Sequence, residues 1–332
     1  MKIVFSLMPV LLFLTGLFLM DSFKLVNKKN LALAILWGGL AAWFSYLSNE
    51  WLSSHFSLSF EHFTRYFAPI VEEVLKALFV FFLIARRKIG FSIDAAIYGF
   101  ASGTGFALIE NMVYIYFIGD EPSMMLWMLR GFGTALMHGG CTAIVALLIM
   151  GGIQREKKLF FSVLSGLFVA IIVHSAFNHF FLNPYLQTLL IFVMLPVFFG
   201  FIFKQSTSSL QNWLEMEFSN EVEILRMIRQ GKFSGTRSGA YIAGLRAHFD
   251  SEMIVDLYNY LSLYLELSIK AKRNLMLKEN GFTPIAESDT IEKLTELKAL
   301  RKQVGKTGEL ALQPLIRIKH RELWKLSQLE NS

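Results

Sequence analysis

Apolar residues in this chain are gathered in long blocks, with no alternation of the kind a half-buried strand would show. Seven blocks, roughly 3–20, 31–48, 67–85, 93–118, 128–150, 159–180 and 186–203, approach the ~20 residues a helix needs to cross a hydrocarbon core. After Lys204 the pattern changes: Asp and Glu occur throughout, and apolar residues recur at three and four residue spacing over Met253–Lys270 and Ile291–Val304. Gly231, Gly235 and Gly239 break that region early, and Gly281 with Pro284 break it again. The pattern predicts an all-α chain: a polytopic transmembrane helix bundle of about seven spans in residues 1–203, then a cytoplasmic helical domain in 204–332. The first block follows Lys2 and ends Phe18-Leu19-Met20 without a small-residue cleavage site, so it is expected to stay as an anchor.

Composition agrees with a membrane protein: 54% of residues are hydrophobic, 32 are Phe, and the mean hydropathy is +0.46. The single cysteine, Cys141, cannot form an internal disulfide, and its neighbours Gly139, Gly140, Thr142 and Ala143 suit close helix packing better than nucleophilic chemistry. Charge is spread without a dense basic patch, which argues against a nucleic-acid partner. Its distribution between the blocks sets an orientation. Lys24, Lys28 and Lys29 follow the first block, Arg86, Arg87 and Lys88 the third, and Arg155, Lys157 and Lys158 the fifth, so those loops are expected in the cytoplasm. The other loops are poor in Lys and Arg, carrying Glu50, Glu61 and Arg65 or Asp120 and Glu121. Seven spans then place the N-terminus outside and the tail inside.

Five ionisable residues lie within the apolar blocks: Glu72, Glu73, Glu110, His138 and His174. A charge at mid-membrane costs at least about 2.5 kcal/mol, so such groups persist mainly where they perform a task. Counting 1.5 Å per helical residue from the expected outer ends puts all five roughly 8–12 Å below the outer surface, on four different helices. A common depth is expected of a shared site. Glu72 and Lys76 are four apart, a spacing that suits a neutralising ion pair and leaves Glu73 free for another partner. Asn178, four residues after His174, could orient that imidazole or donate to a developing oxyanion. His179 is rotated away and is expected at the interface. Gly99, Gly103 and Gly105 make the stretch before Glu110 narrow enough for close packing.

Four short stretches carry a family resemblance: Glu72-Glu73-Val74-Leu75-Lys76, Phe106-Ala107-Leu108-Ile109-Glu110-Asn111, Met137-His138-Gly139 and His174-Ser175-Ala176-Phe177-Asn178. In order, and on successive blocks over about residues 65–180, they resemble the motifs of the PrsW intramembrane proteases, within the wider superfamily of CAAX-processing (Abi) membrane proteases. The resemblance implies site-1 type cleavage of membrane-anchored regulatory proteins such as anti-sigma factors, in a bacterial plasma membrane. The CAAX branch carries histidine where this chain has Glu110, which argues against prenylated substrates. The tail, with His248 and His320, is not covered.

The residues lead to hydrolysis by their own chemistry. Peptide cleavage without a nucleophilic side chain needs an activated water. In one version Glu73, Glu110, His138 and His174 supply ligands for Zn²⁺, with a remaining glutamate as base and Lys76 in support. In the other, a buried glutamate takes the proton from water directly, with the histidines and Asn178 stabilising the oxyanion. Two readings from other classes compete: a proton-coupled transporter lined by Glu and His, and a non-enzymatic receptor signalling through its tail. No inverted repeat or matched pair of broken spans supports transport.

Overall fold

The computed structural model describes the chain except residues 57–58, 119–122, 286, 317–319 and 330–332; the expected acidic connection with Asp120 and Glu121 falls there. The described residues are helical, with no strand among them. They divide into two compact units, Met1–Thr207 and Ser208–Ser332.

The first unit contains α1 (Lys2–Leu19), α2 (Lys28–Phe56), α3 (Ala68–Ala85), α4 (Ser92–Ile118), α5 (Ala135–Gln154), α6 (Leu159–Asn178) and the first part of α7 (Pro184–Arg229). Among the described residues, six stretches are long and apolar enough to cross a membrane: α1, α2, α4, α6, α7 and the run Met124–Gln154 that ends in α5. Helix α3 has 18 residues as well and is apolar overall, but it carries three charged residues, Glu72, Glu73 and Lys76. The seventh expected span is therefore the one that carries much of the chemistry. On α2, Leu36, Leu40, Trp43 and Leu47 recur at three and four residue spacing and are all exposed, as a lipid-facing stripe requires.

Helix α4 is the axis of this unit: from Ile93 to Ala107 every residue is buried. In lipid, helices associate through close packing because the surrounding tails are as apolar as leucine. Glycine supplies that closeness on two faces of α4. A Cβ on Gly103 would stand 2.3 Å from the His138 carbonyl oxygen, and one on Gly99 2.7 Å from that of Thr142, so α5 lies against this face. On the other face a Cβ on Gly105 would collide with the Ile35 carbonyl, and one on Gly38 with the Ser102 carbonyl, so α2 lies against this face. Cys141 is buried on α5 beside Met137, in keeping with a packing role.

Two π-helical turns interrupt the ladder, Phe63–Phe67 directly before α3 and Arg130–Thr134 directly before α5. Each precedes a helix bearing site residues. Turns of this kind concentrate at functional sites, because they leave backbone groups unspent and rotate the helix that follows.

The second unit is built from the end of α7, then α8 (Arg237–Gly244), α9 (Ser251–Glu279), α10 (Thr290–Leu312) and α11 (His320–Leu329). Asp250 caps α9 by accepting from the Met253 N–H at 2.8 Å, and Thr236 caps α8 through the Gly239 N–H at 3.0 Å. Leu257, Leu261, Tyr264, Leu297 and Val304 form its core. Beside that core, Lys272 and Lys325 are fully buried and paired with Glu217, Glu221 and Glu322. Three carboxylates converge there, and the two ammonium groups offset most of their charge.

Candidate metal centre in the membrane unit

The five ionisable residues expected at one depth form a single connected group. His174 donates from Nδ1 to Glu73 Oε1 at 2.8 Å, and its Nε2 lies 3.7 Å from Glu72 Oε2. Lys76 Nζ donates to Glu73 Oε1 at 2.6 Å and to His138 Nδ1 at 3.0 Å. With Nδ1 accepting, neutral His138 carries its hydrogen on Nε2, which faces Glu110 Oε2 at 3.2 Å. The two imidazole rings meet edge to face, with centroids 4.9 Å apart. Glu73, Lys76, His138 and His174 are almost wholly inaccessible, whereas the side chains of Glu72 and Glu110 are 13% and 26% exposed. The two glutamates define the open side of the site.

The counter-ion expectation is corrected. Lys76 pairs with Glu73, not with Glu72. Both spacings bring side chains to one helical face, and the choice falls to Glu73 because His138, from α5, draws the ammonium to that side. Glu73 is therefore not left free: its Oε1 takes both Lys76 and His174. Its other oxygen, Oε2, is buried without a hydrogen-bond partner.

Asn178 is placed differently from the oxyanion expectation. Its Nδ2 donates to the Thr64 carbonyl at 2.9 Å, and the neighbouring Ser175 hydroxyl donates to the Arg65 carbonyl at 2.6 Å. His179 bonds back to the Ser175 carbonyl and stacks on Phe181, outside the connected group.

Two partners escaped the sequence reading. Arg130, near the start of the fifth apolar block, stands 3.1 Å from Glu110, donates to Asn111 Oδ1 at 2.8 Å and lies 3.5 Å over the Tyr114 ring. Its single intramembrane neighbour of opposite sign was visible in sequence, but their separation of 20 residues, through a connection, hid the pairing. Asn49 of α2 lies beside Glu72 and donates to Ser45. No spacing rule could have found it.

Glu72, His138 and His174 each offer a ligand atom, and these atoms lie within 4.8 Å of one another. Ligand atoms around a tetrahedral zinc are about 3.3 Å apart, from bonds of about 2.0–2.1 Å. The 3.7 Å between His174 Nε2 and Glu72 Oε2 is too long for a hydrogen bond and close to that span. The His174 Nδ1 contact to Glu73 is the carboxylate–histidine arrangement that fixes the tautomer of a metal-binding imidazole. The donor set fits a divalent metal. Compared with the expected set of Glu73, Glu110, His138 and His174, the converging atoms include Glu72, while Glu73 sits behind His174 and Glu110 contacts His138 from the open side.

A multi-helix membrane bundle that buries a carboxylate–imidazole cluster with metal-binding geometry defines a membrane-embedded hydrolase. More specifically, residues 27–202 match the model of the PrsW family intramembrane metalloproteases, and the chain belongs to that family. It is an integral, multi-pass membrane peptidase. Neither a curated protein nor a solved structure matches it.

Proposed function

We propose that Glu72, His174 through Nε2, and His138 once one of its nitrogens is released from Lys76 or Glu110, hold a divalent metal, Zn²⁺ in the simplest case, and that the site cleaves membrane-anchored regulatory proteins of the anti-sigma-factor kind. The observation that carries this reading is His174, with Nδ1 committed to Glu73 and Nε2 turned toward Glu72. When bound, such a metal brings the pKa of its water near 7 and polarises a carbonyl. Glu73 holds the His174 ring in the tautomer whose Nε2 is free. Lys76 neutralises Glu73 and keeps its charge from standing unpaired. Glu110 is the most open carboxylate, fixed by Arg130, and it takes the proton of the attacking water and returns it to the leaving amine. The depth of the site from the outer face, with the N-terminus outside and residues 204–332 cytoplasmic, directs cleavage to the outer part of a substrate span in a bacterial plasma membrane.

Metal analysis of the purified protein, joined to cleavage of a single-span substrate before and after chelation, tests the reading. About one bound zinc, activity lost on chelation and regained on adding Zn²⁺ is expected. Full activity in metal-free protein would overturn the metal-bound mechanism and leave the direct glutamate-water route.

A further inference from the structure

Pro69, the second residue of α3, has no N–H. In a helical ladder that N–H would have gone to Arg65, four residues back, or in π geometry to Thr64, five back. The turn Phe63–Phe67 is π-helical, with the Ala68 N–H returning to the Phe63 carbonyl, so the carbonyls of Thr64 and Arg65 are the two that Pro69 leaves without its donor. Both residues are half-buried, and a carbonyl shielded from water costs free energy when it has no partner. These are the two carbonyls that α6 supplies, Thr64 from Asn178 Nδ2 at 2.9 Å and Arg65 from Ser175 Oγ at 2.6 Å. One turn deeper, on the same two elements, His174 meets Glu73 at 2.8 Å.

We infer that Ser175 and Asn178 are positioning residues: they replace the missing Pro69 N–H and so lock the entry of α3 to α6, setting the approach of Glu72 and Glu73 to His174. Asn178 spends one of its two amide hydrogens on backbone. The consequence for turnover follows from geometry, since a displacement of about 1 Å in a catalytic group can cost about 100-fold.

The inference rests on the protease reading for its effect on turnover, but the clamp itself has a readout independent of cleavage. In full-length protein in detergent, hydrogen exchange over residues 60–76 and kcat and KM for a single-span substrate are measured together. Asn178→Asp, which puts a carboxylate against the Thr64 carbonyl, is expected to raise exchange in that segment, leave residues 160–170 unchanged, and lower kcat at least about tenfold with KM little altered. Ser175→Ala acts in the same direction and more weakly. Asn178→Gln, which keeps a donor, restores part of both readouts, and Pro69→Ala, which returns the N–H, recovers protection in the Asn178→Asp background. Lost turnover with exchange unchanged would place Asn178 on the reacting atoms and overturn the inference. So would unchanged exchange and turnover in Asn178→Asp. If the wild-type protein cleaves nothing, the protease reading fails while exchange still decides the clamp.

Discussion

Arg130 and Glu110 form an ion pair across 3.1 Å between the turn that leads into α5 and the C-terminal third of α4. The guanidinium also donates to Asn111 and lies flat over Tyr114, three contacts that require a planar cation. Arg130→Lys keeps the charge but loses the fork and the stack. We expect it to lower kcat about 10-fold or more, close to the loss in Arg130→Met, with bound metal retained. Steady-state cleavage kinetics with metal content measured on the same samples checks this.

Glu73 and Lys76 are both fully buried, so removing one partner strands the other. Breaking a buried pair in this way costs about 3–5 kcal/mol. Glu73→Gln should therefore lower the thermal midpoint in detergent and, by loosening His174, weaken Zn²⁺ binding about 10–100-fold. Glu73→Gln combined with Lys76→Met should recover the midpoint and leave metal affinity low. Parallel recovery of both would show that Glu73 has no role in holding His174.

The glycine contacts of α4 give a paired test of packing. Gly103→Ala places a methyl group 2.3 Å from the His138 carbonyl, and neither backbone can yield without moving His138 itself. Overpacking of this order costs about 1–3 kcal/mol, so reduced stability and activity are expected. Gly200, with nothing within 4 Å of a Cβ, should accept alanine without effect in the same assays.

Orientation can be read with a reporter. A fusion after Lys204 that is active only in the cytoplasm should be active, as the Lys and Arg loops require. An outward signal would move the site to the inner leaflet.

In the second unit, burial pushes the Glu322 carboxyl up, but the charges of Lys325 and Lys272 and the hydrogen bonds from Lys325 and Tyr264 outweigh it and hold the group below the usual carboxylate range. A carboxyl depressed in the folded state stabilises above its unfolded value of about 4.3, and that contribution is lost as pH falls through the folded value. The protection of α9 amides, measured against the intrinsic exchange rate at each pH, should therefore fall as the medium is acidified below the usual carboxylate range. Glu322→Gln should flatten that dependence while lowering stability at neutral pH, because Lys325 then loses a buried partner.

Much of this molecule was legible in the chain, for identifiable reasons. Transfer of apolar side chains into lipid is additive along a helix, so the blocks declare the spans. The cost of a buried charge is local as well, so Glu72, Glu73, Glu110, His138 and His174 stand out residue by residue. Their common depth follows from the rise of a helix alone. Pairing does not follow from these rules. Lys76 can reach Glu72 or Glu73, and His138, from a distant helix, tips the choice. Asn178 shares a face with His174, yet its amide turns to a carbonyl that a proline five residues further along left bare. Arg130 and Asn49 reach the site from segments with no motif. Composition and periodicity depend on each residue's own transfer energy, whereas partners are decided by competition among donors and acceptors that meet only when the helices pack. For this protein the sequence names the layer and its chemistry, and the tertiary structure assigns which oxygen faces which nitrogen.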